Sequence, residues 1–380
     1  MMKKAKTDYR QRLFIFLMVL LSVPLIQSVT LIVKEQPLKG AVSTPENVQF
    51  TLKDWFSASY QTKKEKYYND AFGFRSLFVR INNQMALSLF REVHAFSVIF
   101  GKENYLFEEN YIKSWYGADF IGEDSIAQRI AKLKFIQYQM LARYNKNLLV
   151  IFAAGKGSFY PEFFPPEISY PKGPTNYETH VRMAHEAGLK IIDFNRWFLE
   201  NKTESPFLLY PKYGIHWSIY GTSLVADSLL TYIEKIRGID LPSLSWDRVE
   251  LKKAQKDDYD MGYGLNLLFR LRRDKMAYPV LKFESGEGKI KPSVLMIADS
   301  FYWGMFKFGI TRAFSTSDFW FYNKEIYHTV LGPPIGTDQV GLWEQIQSHD
   351  VIILMATEAN LPKFGWGFID EAYQLLLDNR

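Results

Sequence analysis

Apolar positions along this chain fall into three different rhythms, and each predicts a different kind of element. The first is continuous. Leu13 to Val33 runs almost wholly apolar and free of charge, long enough at about 1.5 Å per residue to cross a bilayer as one helix. The second has helical spacing. Ile126, Ile130, Leu133, Leu141 and Tyr144 mark the stripe of a long helix, Tyr177 to Ala187 predicts another, and Ile219 to Ile236 a third, closed by Gly238. The third consists of short unbroken apolar runs: Leu148–Ala153, Leu189–Phe194, Val294–Ile297, Phe319–Tyr322 and Val351–Met355. Runs of that length without polar alternation are expected of strands buried on both faces. They alternate with helices, ending in one from about Gly367 to Asp378, so the pattern predicts an α/β fold with a largely parallel sheet flanked by helices.

Around that framework the pattern is less regular. Phe50 to Leu89 reads as helical with Gly73 as an interruption, and Val98 to Phe107 as a hairpin turning at Lys102–Asn104. Residues 34–59 are expected to be a tether. Residues 60–380 are taken as one domain, with 240–290, charged around Lys252, Lys253, Lys256, Asp257 and Asp258, as an insertion or cap.

Composition changes the picture in three respects. There are no cysteines, which removes disulfides, thiolate metal sites and cysteine nucleophiles. The net charge of +5 is spread thinly over 380 residues, and no zinc-finger or RNA-binding signature accompanies it, so a nucleic-acid partner is not expected. Lys3, Lys4, Lys6, Arg10 and Arg12 precede the apolar run, which orients residues 1–12 to the cytoplasm and residues 13–33 as a transmembrane signal anchor. A cleaved signal peptide is the competing reading, but no small-residue cleavage site follows the run. The expected location is the inner membrane, single-pass, with the main domain in the periplasm.

Chemistry concentrates at two places. Val294-Leu295-Met296-Ile297 ends in Ala298-Asp299-Ser300-Phe301, which sets a serine hydroxyl at the mouth of a buried strand, where open α/β sheets bind ligands. Gly214-Ile215-His216-Trp217 offers a histidine just before a helix for which Ser218 is a candidate N-cap. A serine becomes a nucleophile when a base takes its proton, and histidine is the usual base. An acid two residues before the histidine is missing, because position 214 is glycine. No His, Asp or Glu spacing forms a convincing metal site.

The motifs resemble the AlgX/AlgJ-type branch of SGNH-like proteins, polysaccharide O-acetyltransferases of the periplasm. The resemblance is carried in order by Asp70-Ala71-Phe72-Gly73-Phe74-Arg75, Gly101-Lys102-Glu103-Asn104-Tyr105-Leu106-Phe107, Lys156-Gly157-Ser158-Phe159-Tyr160-Pro161-Glu162, Gly214-Ile215-His216-Trp217 and Ala298-Asp299-Ser300-Phe301. It implies an SGNH-like, flavodoxin-like parallel sheet with a circularly permuted motif order. It implies Ser300 as nucleophile, His216 as base and a missing acid at Gly214, with acetyl transfer to an exported or cell-surface polysaccharide through an acetyl-serine. An acetyl-relay protein in the membrane would be the partner, and no small-molecule cofactor is implied. Glu358 is a candidate substitute acid and Asn360 a candidate oxyanion donor, the alternative being that both cap the following turn. Asp299 is expected to fix the turn at Ser300 by backbone hydrogen bonds. Lys156, Tyr160, Trp217 and Trp303 are candidate substrate-binding residues, with packing as the competing use. His180 and His185 are expected to be solvated. An acetyl esterase, or a degenerate polysaccharide-binding or scaffold protein without turnover, are the alternative functions.

Overall fold

The computed structural model describes residues 9–40, 46–284, 286–328 and 332–378; Lys3, Lys4 and Lys6 lie outside the described residues. The chain divides into two compact units. One comprises residues 1–96 with 262–271, the other 97–261 with 272–380. The larger unit thus begins well after the boundary at residue 60 expected from the sequence, and part of the 240–290 segment belongs to the smaller one.

The smaller unit is helical. Helix α1 spans Tyr9–Thr30 and has the length and apolar composition of a single-pass anchor or signal. Helix α2 covers Ser59–Asp70 and α3 Arg75–Met85, broken at the Gly73 predicted to interrupt them. The inserted stretch 262–271 is tied to this unit by Asn83 Nδ2 donating to the Leu265 carbonyl and by paired bonds between Lys39 and Asn266.

The larger unit is built on a seven-stranded mixed sheet. Its strands are β1 (Asn147–Ala153), β2 (Ile191–Asp193), β3 (Val294–Ala298), β4 (Ser317–Phe321), β5 (Glu325–His328), β6 (Ile335–Gly336) and β7 (Val351–Thr357), in the order β6-β5-β4-β3-β7-β1-β2. From β4 to β2 every pair is parallel, as the apolar runs predict. The extension β4-β5-β6 is antiparallel, because Tyr322–Lys324 turns the chain straight back. Every residue of β1, β3 and β7 is buried, which explains why these strands carry no polar alternation. Truncating Leu354 in the central strand to alanine would cost about 2–5 kcal/mol.

Helices cover both faces. Helix α4 (Glu123–Tyr144) turns Ile126, Ile130, Leu133, Ile136 and Met140 into the core, and it pairs with α5 (Asn176–Glu186) and α8 (Phe368–Asp378). Helix α6 (Ile219–Arg237) ends at Gly238 with φ +64°, the left-handed cap expected there. Helix α7 (Tyr302–Phe308) starts immediately after Ser300–Phe301. Two small antiparallel ribbons, Ser243–Ser245 with Lys282–Glu284 and Val249–Lys253 with Lys275–Pro279, account for much of the 240–290 segment.

His180 corrects one expectation. It is fully buried rather than solvated, its Nδ1–H donating to the Asn176 carbonyl at 2.7 Å and its Nε2 accepting from Arg129 at 3.2 Å. Burial drives its pKa down to about 4, so it stays neutral.

Candidate active site

Ser300 stands at the carboxyl end of β3, between the ends of β4 and β7. The turn that carries it is fixed by Asp299, which is fully buried. Asp299 Oδ1 accepts the Phe301 N–H at 3.1 Å, holding the turn through the backbone as expected. Its Oδ2 accepts the Thr357 N–H at 2.8 Å, the Thr357 hydroxyl at 2.9 Å and the Asn360 amide at 2.9 Å. One carboxylate therefore staples the end of β3 to the end of β7, and such hydrogen bonds to a charged group are the stronger kind.

His216 comes from the loop before α6. Ser218 is the N-cap, accepting the Gly221 N–H at 2.9 Å and donating to the Leu208 carbonyl at 2.7 Å. The imidazole packs on the Phe301 ring with centroids 4.8 Å apart. Its Nε2 lies 3.0 Å from Ser300 Oγ. Its Nδ1 lies 2.6 Å from Asp260 Oδ2.

Asp260 is the residue that sequence reasoning missed. It belongs to the charged run Asp257-Asp258-Tyr259-Asp260, read only as part of an insertion. Its Oδ1 also accepts the Ile215 N–H at 3.0 Å, so it fixes the backbone of the histidine loop as well as the ring. Two residues earlier, Asp258 Oδ1 accepts the Ile219 N–H at 3.0 Å at the start of α6. The run thus brackets residues 215–219 from both ends. Gly214 explains why the acid sits here. A Cβ at 214 would lie 2.4 Å from the Asp257 carbonyl oxygen and 2.7 Å from Pro211 Cγ. The turn carrying Asp260 occupies the space that a side chain at 214 would need. No signal short of the acidic run itself announces this, because the contact is 44 residues away in sequence.

The electrostatics follow. Burial would push the His216 imidazole down, but the Asp260 charge and hydrogen bond, backed by Asp257 and Asp299, outweigh it and hold the pKa above the ordinary value. Lys156 is fully buried, its ammonium donating to the Lys212 carbonyl at 2.9 Å and the Gly214 carbonyl at 2.6 Å. Burial drives it down to about 7, with Asp260 and Glu108 pulling the other way. It is neither solvated nor open to a substrate; it braces the loop that leads into His216. Glu108, also unanticipated, is raised by burial and faces the His216, Asp260 and Lys156 charges.

The other candidates separate cleanly. Glu358 does not reach His216. It is buried, accepts the Ser158 N–H at 3.0 Å and the Ser158 hydroxyl, and fills the space above Gly155, whose Cβ would lie 2.2 Å from Glu358 Oε1. Burial raises it to about 7 against the Ser158 bonds. The Asn360 amide nitrogen is committed to Asp299 and, at 3.2 Å, to Thr357 Oγ1, so it supports the staple. Trp217 is buried, stacked on Phe198 and edge-on to Phe301; Tyr160 is buried with its hydroxyl donating to the Tyr210 carbonyl at 3.2 Å. Trp303 is half-buried among Phe319, Phe321 and Tyr327. A second residue missed from sequence is Tyr322, just past β4. Its phenol lies near Ser300; burial and then the Asp299 charge raise its pKa, keeping it neutral. Tyr322 and Asn323 both have φ +51°, an uncommon conformation for side-chain-bearing residues. Among the described residues no cluster of His, Asp and Glu is arranged to hold a metal ion.

Ser300, His216 and Asp260 form a serine–histidine–acid relay at the strand ends of an α/β sheet, the constellation of serine hydrolases and acyltransferases. Residues 98–265 match the family model described as the SGNH hydrolase-like domain of the acetyltransferase AlgX, in keeping with the AlgX/AlgJ-type resemblance of the motifs. A curated relative, "Probable alginate O-acetylase AlgJ" of Azotobacter vinelandii, is 25% identical over 172 residues, 45% of this chain and 42% of the relative. The chain therefore spans less than half the length of that relative. Among solved structures, the O-acetyltransferase domain of Pseudomonas putida AlgJ aligns at 14% identity and TM-score 0.49 over 73% of this chain and 99% of that one. Bacillus cereus PatB1 with a sulfonyl adduct aligns at 11% identity and TM-score 0.45, covering 70% and 97%.

Proposed function

We propose that this chain is a membrane-anchored O-acetyltransferase acting outside the cytoplasm on an exported or cell-surface polysaccharide through an acetyl-Ser300 intermediate. The observation that carries the reading is His216 bridging Ser300 Oγ at 3.0 Å and Asp260 at 2.6 Å. With Asp260 accepting from Nδ1–H, the lone pair of Nε2 faces the serine, which is the tautomer a general base needs. His216 takes the Ser300 proton as Oγ attacks the acetyl carbonyl carbon. The resulting oxyanion is met by the Tyr322 phenol and the Ser300 backbone N–H. Collapse expels the donor's leaving group, which receives the proton from Nε2, and leaves acetyl-Ser300. A sugar hydroxyl then attacks the ester, gives its proton to Nε2, and the second collapse returns that proton to Ser300 Oγ as the acetylated sugar departs. No metal or organic cofactor has a step to perform in this sequence.

We assign the acceptor to a hollow one residue removed from Tyr322. Trp366 lies edge-on to Tyr322 at 5.2 Å and lines a hollow of 600 Å³ with Arg129, Lys132, Lys324 and Lys363. Because the acetyl donor is made inside the cell, a second membrane protein would deliver the group to Ser300. An acetyl esterase uses the same residues with water as acceptor, so the two are separated by partition. The degenerate alternative, a polysaccharide-binding or scaffold protein without turnover, is the weaker reading, because Asp260 stands against His216 where an acid is needed.

The test is acetyl release from p-nitrophenyl acetate by the full chain in detergent, with Ser300→Ala, His216→Ala and Asp260→Asn beside it. Loss of turnover in all three, together with a mass increase of one acetyl group on the Ser300 peptide, supports the mechanism. Background rates throughout would sink it. Faster ester consumption on adding an oligosaccharide, with acetylated sugar as product, distinguishes transfer from hydrolysis.

A further inference from the structure

Helix α1 is exposed along nearly its whole length, and only Pro24 and Gln27 are buried. They are covered by the corner between α2 and α3. A Cβ at Gly73 would lie 2.0 Å from the Pro24 carbonyl oxygen, 2.8 Å from the Ser28 nitrogen and 2.9 Å from Gln27 Cβ. Only glycine permits this approach, which gives Gly73 of the Asp70–Arg75 motif a packing role apart from catalysis.

The depth of that contact has a consequence. With Arg12 at the cytoplasmic boundary, a rise of about 1.5 Å per residue sets Pro24–Ser28 roughly 18–24 Å along α1, some 6–12 Å short of the far edge of a ~30 Å hydrocarbon core. The corner pressed against it must lie at the same depth. Its surface suits that position. Phe72 is 50% exposed, Leu77 40% and Phe78 46%, and the two phenylalanine rings lie 6.1 Å apart on one side of the corner. Several of its polar groups have partners within the protein, as lipid favours. Arg75 pairs with Asp70 at 3.1 Å, the Leu77 N–H donates to Glu35 Oε1 at 3.0 Å, and Arg80 donates to the Pro37 carbonyl at 3.0 Å. One turn back along α2, Tyr67 and Tyr68 lie beneath the Lys64 ammonium at 4.8 and 5.2 Å, the aromatic and basic pairing favoured at the headgroup level.

We propose that the corner Ala71–Phe78 is embedded in the outer half of the bilayer that α1 crosses, with Phe72, Leu77 and Phe78 facing lipid. The proposal rests on α1 being a membrane anchor. The smaller unit would then be fixed to the membrane by a helix and a hairpin tip rather than by one helix with a loose tether.

The absence of cysteine makes the test direct. Single cysteines at Phe72, Leu77 and Phe78 are spin-labelled in the full chain, reconstituted in phosphatidylcholine–phosphatidylglycerol vesicles. Collision rates with oxygen, which concentrates in lipid, are compared with those of a nickel chelate, which stays in water. Leu17→Cys in α1 and Tyr138→Cys, 64% exposed on α4, serve as lipid and water references. Oxygen access exceeding nickel access several-fold at Phe72 and Phe78, as at Leu17, supports the embedded corner. Labels there that behave like Tyr138 while Leu17 reads lipid would overturn it and leave the face to a protein partner. A Leu17 label in water would overturn the anchor itself, and the embedded corner with it.

Discussion

Replacing Asp260 by asparagine probes the site most sharply, because it removes the charge while keeping the shape. The amide oxygen can still accept the Ile215 N–H that Asp260 Oδ1 accepts at 3.0 Å, so the loop should hold. The other side of the group changes sense: an NH₂ would face His216 Nδ1, now 2.6 Å from a carboxylate oxygen. That forces the proton onto Nε2, which then points an N–H at Ser300 and cannot act as base. The charge matters too. A carboxylate about 4 Å from the developing imidazolium is worth about 4 kcal/mol at an effective dielectric near 20. Both arguments converge on a loss of about 10³–10⁴ in kcat, the upper figure being what the same change costs a serine protease. The acid limb of the pH profile should also move. His216 must be neutral to act, so activity rises with pH through its pKa, which Asp260 holds above 6.5 in the native chain. Without that charge, burial is opposed only by Asp257 and Asp299, and the limb moves to lower pH. The assay is ester turnover from pH 5 to 9, with a melting curve to confirm that the fold survives. A variant keeping more than about a tenth of native turnover, with an unmoved acid limb, would refute Asp260 as the orienting acid.

Other outcomes follow from the same geometry. Gly214→Asp should not supply a better acid; its Cβ would meet the Asp257 carbonyl at 2.4 Å, so urea denaturation should show a loss of about 1–3 kcal/mol together with lower turnover. Glu358→Gln should leave turnover near native, since Glu358 contacts Ser158 rather than His216; a hundredfold drop in ester turnover would reverse that assignment. Tyr322→Phe should slow acetyl-serine formation by about 10²–10³ in burst kinetics if its phenol meets the oxyanion, with the melting temperature little changed. Lys156 has a native pKa near 7, depressed by burial from 10.5, so the unfolded chain binds more protons between these values and Lys156 adds stability as pH rises through that window. Urea midpoints of the native chain and Lys156→Met, compared from pH 6 to 10, should show this slope only in the former.

The central sheet was readable because its strands are buried on both faces, and such strands announce themselves as unbroken apolar runs. Ser300 and His216 were readable for a related reason: each sits at a sharp change from an apolar run to a loop or cap. The antiparallel extension β5-β6 was not, since Glu325–His328 mixes polar and apolar residues as a strand with one wet face does. Asp260 lay hidden because nothing local distinguishes a carboxylate that folds back onto a distant histidine from one that faces water. Its partner Gly214 was legible only as a gap. The steric reason for that gap, the Asp257 carbonyl resting against it, exists only in three dimensions. Glu358 misled for the converse reason, since proximity to a strand end says nothing about which neighbour a side chain will choose.

Asp260 has a further property of position. Two residues beyond it, at Gly262, the chain leaves the larger unit, and it does not return until Arg272. The residues between are held by Asn83, Gln84 and Lys39 of the smaller unit. Cutting the protein after Phe96 to obtain a soluble enzyme would therefore strip the supports from a ten-residue stretch whose first residue is the acid's near neighbour. The expected casualty is the carboxylate's alignment rather than the sheet. A truncated form that folds but works poorly would then report a lost splint, not an idle active site.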